Sequence, residues 1–451
     1  MTPEETKNRK RRRRRRRPNG NNAATPNPQG GNGSDAPPPP ERTAQGSAAP
    51  QNRSRRRRSR HRRRGEGEPR FDSPRTVSGD QPALPEVVDE ASGVLFIKAN
   101  GTGFLVNPAN NYIAQSINPI VPRNIIERYH LQAGLKMSGP ARRAGNTIEL
   151  VNPEMVEDMP LEVFRETRRP FSELISIDPI QCFKLETEPD RLSTRVLDLL
   201  APIGRGQRCL VVAPPKAGKT TLLKDIAHGI EKNHPEVIVM VLLVDERPEE
   251  VTDIRRSVRG EVIASSSDET AENHIILAEL VLERARRLVE LKHDVVILCD
   301  SITRMSRAYN NEQRSSGRIL TGGIDARTME KPRKFFGSAR CGEDWSSLTI
   351  IATALIDTGS RMDEVIFQEF KGTGNTEIVL DRGLFERRIF PAINIAQTGT
   401  RKEEKLLPLE WQPKIHTLRR ALAGTDPMTA MKMLLEKMQK YPSNEAFLKS
   451  F

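Results

Sequence analysis

The stretch that most constrains this chain is Ala213-Pro214-Pro215-Lys216-Ala217-Gly218-Lys219-Thr220. An apolar run, Arg208-Cys209-Leu210-Val211-Val212, leads into it, and Thr221-Leu222-Leu223-Lys224-Asp225-Ile226-Ala227 follows. The run reads as a buried parallel strand and the following segment as a helix. Strand, tight loop, Gly-Lys-Thr and helix form the phosphate-binding P-loop arrangement. Loop amides and the helix N-terminus offer positive partial charge to phosphate. Lys219 is placed to reach the β- and γ-phosphates of a nucleotide, and the Thr220 hydroxyl to sit on Mg²⁺. The pattern asks for glycine at its first position, where this chain has Ala213.

Around the loop, apolar runs alternate with helical patterns. Residues 237–244, 262–264, 295–299 and 348–355 read as strands, and 249–258 and 271–291 as helices. Such alternation predicts a mostly parallel sheet covered on both faces, with ligands at the carboxyl ends of strands. Two carboxylates fall at such ends. Asp300 suits the Mg²⁺ shell, and Glu246 suits orienting and deprotonating a water. A transition-state arginine is also needed, and spacing leaves Arg247, Arg387, Arg388 and Arg401 all open.

The charge is unevenly placed. The net charge is +13, and residues 1–86, with 22 basic and 9 acidic residues, hold all of the excess. Residues 11–17 are an unbroken arginine run, and 55–58 and 62–64 form a second basic block among Asn, Gly, Pro, Ala and Ser. Residues 1–88 therefore read as a disordered arginine-rich tail that contacts polyanions through counterion release. No run approaches a membrane span, and the N-terminus lacks the apolar core of a secretory signal. The cysteines, Cys182, Cys209, Cys299 and Cys341, show no C-x-x-C spacing, so a reduced, cytoplasmic protein is the simplest reading.

Short strands with Gly-rich turns over residues 90–155 suggest a small β-barrel of the OB-fold or cold-shock type. Its Gly101-Thr102-Gly103-Phe104-Leu105-Val106 element resembles a strand that stacks single-stranded nucleic acid, although Phe104 fits a core role equally well. Prolines punctuate residues 156–203, which read as a connector, and 204–451 form the large domain. Within it, residues 314–323 and 357–361 combine glycine with arginine. That composition suits either mobile surface loops or loops gripping a phosphate backbone. A final helix opens at Asp426-Pro427, with Met428, Met431, Met433 and Met438 as core filler.

Several stretches together resemble bacterial transcription termination factor Rho. They are Gly204-Arg205-Gly206-Gln207-Arg208, the P-loop itself, residues 244–251 (VDERPEEV), Asp300-Ser301-Ile302-Thr303-Arg304, and Leu320-Thr321-Gly322-Gly323. Residues 354–360 (ALIDTGS), 370–374 (FKGTG) and 398–404 (TGTRKEE) complete the set. The resemblance covers roughly residues 93–451. It implies an α/β architecture: a RecA-like P-loop ATPase domain after an OB-fold barrel and the basic tail. It further implies a cytoplasmic homohexamer that binds ATP and Mg²⁺ and loads on single-stranded RNA. Such a ring translocates 5′ to 3′ and releases RNA polymerase from its elongation complex.

Carried over by residue, the resemblance gives Lys216, Ala217, Gly218, Lys219, Thr220 and Thr221 as nucleotide contacts. The Gly204 to Cys209 turn (Gly204, Arg205, Gly206, Gln207, Arg208, Cys209) lines the same site. Glu246 is the catalytic carboxylate, Asp300 with Thr220 the magnesium ligands, Arg247 a neighbouring contact and Phe390 the adenine stack. Arg388 and Arg401 come from the adjacent subunit. Arg318, Thr321, Gly322 and Arg361 touch RNA in the channel. The barrel departs from the family pattern: Thr102 replaces an aromatic, Val106 a basic residue and Ile120 a tyrosine. The arginine-rich tail is thus expected to supply loading affinity that the barrel lacks. Two alternatives remain at this stage, a rotary ATPase subunit and an RNA-binding ring that uses ATP only to assemble.

Overall fold

The computed structural model describes residues 89–312, 323, 325, 327–343 and 346–451. The arginine-rich tail and the channel residues Arg318, Thr321 and Gly322 lie outside that set.

The first described strands are β1 (Asp89–Ile97), β2 (Gly103–Val106) and β3 (Ile120–Val121); after the short helix α1 (Arg123–Tyr129) come β4 (Lys136–Ala144) and β5 (Thr147–Leu150). Their order is β1-β2-β3-β5-β4, and β4 pairs back onto β1, so the sheet closes into the expected five-stranded barrel. Alternation fills it: Leu95, Leu105, Val121, Met137 and Leu150 point inward against Ile125 and Ile126 of α1. Gly103 sits where no side chain fits, since an added Cβ would lie 2.7 Å from Leu95 and 2.9 Å from Ile126.

A hairpin of β6 (Met155–Val156) and β7 (Met159–Pro160) leads through α2 (Leu161–Thr167), β8 (Ser176–Ile177) and α3 (Leu192–Leu200). This segment does more than connect. β8 pairs with a strand of the large sheet, and Val196, Leu197, Leu199 and Leu200 of α3 are fully buried in the large core. The apolar run Val196–Leu200 already reads as a short buried element within this segment, whereas β8, only two residues long, leaves no pattern in the sequence.

The large domain runs β9 (Arg208–Ala213), α4 (Lys219–Asn233), β10 (Ile238–Glu246), α5 (Pro248–Ser257), β11 (Glu261–Ser266), α6 (Ala271–Glu290), β12 (Asp294–Asp300) and α7 (Ile302–Glu312). It continues with α8 (Glu330–Phe336), β13 (Arg340–Gly342), β14 (Ser347–Leu355), α9 (Arg361–Lys371), β15 (Thr376–Val379), α10 (Arg382–Glu386) and β16 (Gly399–Thr400). Helices α11 (Gln412–Leu422), α12 (Pro427–Met438) and α13 (Asn444–Lys449) close the chain. Strand order is β11-β10-β12-β14-β9-β15-β16, and the first six are parallel.

Period-two alternation along these strands separates two cores. Val211, Val239, Val241, Leu243, Val296, Leu298 and Ile351 face α3, α4 and the C-terminal helices. Leu210, Val212, Met240, Leu242, Val295, Ile297 and Ile350 face α6, α7 and α9. Both faces are covered, which is why the strands read as unbroken apolar runs. Asp426 caps α12 by accepting from Thr429 N, and Met431 and Met438 are buried as expected. Met433 is not core: it is 42% exposed, on the opposite side of α12.

The barrel is seated on the large domain. Val94, Val106 and Tyr112 join the second core, and the Tyr112 hydroxyl donates to Glu261 at the edge strand β11. The Asn111 side-chain carbonyl accepts from Ala264 N of the same strand at 3.1 Å. On α6, Arg284 pairs with Glu157 and donates to Gly134 O.

A candidate nucleotide site at the ends of three strands

The loop after β9 is shaped by left-handed residues, Lys216 (φ 61°) and Gly218 (φ 91°), and Gly218 is the N-cap of α4. No side chain caps this helix, so its first amides remain available. The Lys219 ammonium then reaches across the sheet. Its Nζ lies 2.7 Å from Glu246 Oε1 and 2.8 and 2.7 Å from the two Asp300 oxygens. β10 and β12 end side by side, which places the two carboxylates together. Asp245 adopts a left-handed φ of 56° and the β10–β11 register slips there, a bulge that turns Glu246 inward.

The electrostatics follow from burial. Glu246 is 2% exposed, and burial together with the charge of Asp300 raises its pKa above the usual carboxylate range despite Lys219. Burial alone would lower the Lys219 pKa, but Asp300 and Glu246 outweigh it and hold the ammonium charged. Asp300 also accepts from Thr353 Oγ1 at 2.6 Å, and Arg304 bridges Asp245 and, at 3.6 Å, Glu246. Sequence reading missed Thr353, which follows no motif. Arg304 was legible in principle, since it lies one helical turn past Asp300 in a quoted motif.

Beside the loop opens a cavity of about 480 Å³ lined by Ala217, Gly218, Thr221, Phe385, Arg388 and Phe390, among others. Phe390 is 48% exposed and meets Phe385 edge-to-face at 5.5 Å. An apolar slot with an aromatic wall, adjoining uncapped helix amides, fits a nucleotide base next to its phosphates. The oxygen donors of Thr220, Asp300 and Glu246 suit a hard cation such as Mg²⁺. Among the described residues no cluster of three His, Cys, Asp or Glu is built to hold a metal alone, so such a cation would depend on phosphate oxygens.

Within a single chain, three sets of expected residues are placed as follows. First, Gly204 to Cys209 are not among the residues around this cavity: Gly204 to Gln207 precede β9 and Arg208 and Cys209 begin it, at the strand end away from the P-loop. Their side chains are occupied elsewhere: Arg205 with Asp294 and Glu236, Gln207 with Thr376, Arg208 with the carbonyls of Thr373 and Ala339. Cys209 is fully buried, and burial pushes its thiol pKa up. Second, Arg388 lines the cavity of its own chain. Arg401, in contrast, is at the far end of β9, its N–H bonded to Asn375 O and Asn375 N to Arg208 O. Third, Leu105 and Val106 are buried, one inside the barrel and one against the large domain. Arg247 is exposed at the start of α5 beyond Glu246, and Lys216 is exposed on the loop.

On the barrel, Gly101 makes the turn (φ 85°) and Thr102 N bonds Asn100 Oδ1, leaving Phe104 half-buried on the outer face. Phe104 pairs across strands with Phe96 and Ile120, and Lys98 Nζ lies 4.5 Å from its ring centre. Arg361 is exposed as the first residue of α9. Its loop is pinned from below: Asp363, 1% exposed, takes two bonds from Arg307 of α7 at 2.8 and 2.6 Å and one from Thr358 at 2.6 Å.

The sequence profile of the ATP synthase alpha/beta family, nucleotide-binding domain, matches residues 193–399. Among solved structures, an ATPase of the type III secretion system of pathogenic bacteria superposes with a TM-score of 0.52 at 23% identity, covering 61% of this chain and 86% of that one. That likeness is one of fold. Transcription termination factor Rho of Aquifex aeolicus is 53% identical over 365 residues, 79% of this chain and 84% of its own. This chain belongs to the Rho family. Rho of Bacillus subtilis is 52% identical over 79% of this chain, and that of Borreliella burgdorferi 51% over 80%, spanning 83% and 70% of their own lengths. Membership matches the architecture, a closed barrel seated on a RecA-like sheet, and makes the chain an ATP-hydrolysing enzyme. Among the described residues no helix is long and apolar enough to cross a membrane.

Proposed function

We propose that this chain is an ATP-driven, 5′-to-3′ RNA translocase that terminates transcription by releasing RNA polymerase, and that it works as a homohexameric ring. The observation that carries the reading is the meeting of Lys219, at the start of α4, with Glu246 and Asp300, at the ends of the parallel strands β10 and β12, at 2.7–2.8 Å. ATP would place its base against Phe390 and its phosphates on the amides of α4 and on Lys219. Mg²⁺, held by Thr220, Asp300 and phosphate oxygens, would supply charge neutralisation on the phosphates. Glu246, with its raised pKa, would hold and deprotonate the attacking water. Arg401, far from its own P-loop, would serve the site of the adjacent copy, and Arg388 the base side of its own.

RNA would be gripped by Arg361 and the loop carrying Arg318, Thr321 and Gly322, after loading on Phe104 of the barrel and on the arginine-rich tail. The test is ATP hydrolysis with and without homopolymer RNAs. The reading expects strong stimulation by single-stranded RNA, lost in Glu246→Gln, and displacement of a strand annealed 3′ of the loading site. Hydrolysis indifferent to RNA would contradict it and favour a rotary subunit.

A further inference from the structure

The loop after β2 reaches from the barrel to both elements that flank Glu246. We infer that Asn111, in that loop, is a positioning residue for hydrolysis: its side-chain carbonyl braces β11 and α5, and through them the Glu246 carboxylate. The inference rests on the reading of Glu246 as the carboxylate that activates water.

Local sequence shapes the loop. The Asn107 side chain accepts from Ala109 N at 2.8 Å, and Pro108 opens a short helical turn. Asn111 (φ 51°) and Tyr112 (φ 55°) then take left-handed backbone, which asparagine tolerates better than most residues. Asn111 Oδ1 accepts two bonds, from Ala264 N of β11 at 3.1 Å and from Arg255 Nη2 of α5 at 2.5 Å. An amide carbonyl has two lone pairs, so both bonds form at once. β11 is the edge of the large sheet, and the Asn111 carbonyl gives its Ala264 N–H the partner that a further strand would supply.

Both partners lead to Glu246 within a short length of chain. Ser266, just past Ala264, pairs with Glu246 across the bulge, and Ser267 N donates to Glu246 O at 3.0 Å. On the other side, α5 opens at Pro248, just past Glu246, and carries Arg255 in its last turn. Glu246 thus lies between a strand neighbour and a helix that share one acceptor on the barrel. Tyr112 makes a third tie, to Glu261, but at the start of β11. Glu261 pairs with Met240, near the start of β10, so this tie holds the barrel without bracing the carboxylate.

The experiment measures kcat and KM for ATP at saturating single-stranded RNA, ADP affinity by calorimetry, and thermal melts. The proteins are full-length wild type, Asn111→Gly, Asn111→Asp, Tyr112→Phe and Glu246→Gln. Glycine and aspartate both suit a left-handed backbone, but only aspartate keeps the acceptor. Asn111→Gly should lower kcat about tenfold or more, because a slightly misplaced reacting group costs rate. Its KM and ADP affinity should stay within about twofold of wild type, since substrate binding is untouched. Asn111→Asp should hold kcat near wild type. Tyr112→Phe should lower the melting temperature and leave kcat unchanged. An unaltered kcat in Asn111→Gly overturns the inference. So does an equal fall in Asn111→Asp, which would exclude the acceptor as the cause, or in Tyr112→Phe, which would assign the effect to barrel docking. Undiminished hydrolysis by Glu246→Gln defeats the reading of Glu246 itself, and the inference with it, a result distinct from the others.

Discussion

Glu246 shows how a residue's environment sets its chemistry. Buried beside Asp300, it holds its proton to higher pH than a free carboxylate does. A general base works only when ionised, so hydrolysis should fall as pH drops through this raised value. The acid limb of the kcat/KM profile, which reports the free enzyme, should therefore be shifted upward from that of an ordinary carboxylate, which a pH series at subsaturating ATP with saturating RNA would check. Glu246→Gln should lower kcat by about 10²–10⁴-fold with ATP binding retained.

Asp198 makes the opposite kind of statement, about stability. Burial pushes its pKa up to about 7 against the pull of the Glu186 and Leu185 amides. Its stabilising contribution is full at low pH and is lost as pH rises through that value, because the unfolded chain releases the proton earlier. Denaturant midpoints from pH 4 to 7 should fall in wild type and fall less in Asp198→Asn. Lys219, Glu246 and Asp300 were legible because motif and strand end coincide. Gly204 to Cys209, carried over from the resemblance, lie at the end of β9 away from the P-loop within one chain.

At the scale of elements, α7 joins the two halves of the site. It follows Asp300, sends Arg304 to Asp245 and Glu246, and sends Arg307 to the buried Asp363 under the Arg361 loop. Arg307→Ala should cost about 1–3 kcal/mol by leaving Asp363 with Thr358. It should also shrink the stimulation of ATPase by RNA while the RNA-free rate persists. Arg307→Lys should restore part of the stimulation, which a purely global loss of stability would not separate from the basal rate. Strands β9 to β12 and β14 were readable from their apolar runs, and Val196–Leu200 of α3 as a short buried element. β8, β13, β15 and β16 were not, since they are four residues or fewer and their assignment depends on partners distant in sequence. Arg195 shows that dependence: fully buried in α3, it donates to Pro189 O and Met438 O.

At the scale of the molecule, the barrel and the large domain share one apolar core through Val94, Val106 and Tyr112. Val106→Arg, which restores a family-type basic residue by sequence, should therefore destabilise the chain rather than strengthen RNA binding; a thermal melt and an RNA titration would separate the two. Burial, invisible to the motif, decides that outcome. The central claim concerns a site completed by another copy. Arg401 stands at the opposite end of β9 from Lys219, too far to serve its own P-loop. Arg401→Ala and Lys219→Ala proteins, each inactive alone, should regain RNA-stimulated hydrolysis when mixed, with about a quarter of interfaces intact in a random ring. Mixtures no more active than the two variants apart would contradict the account.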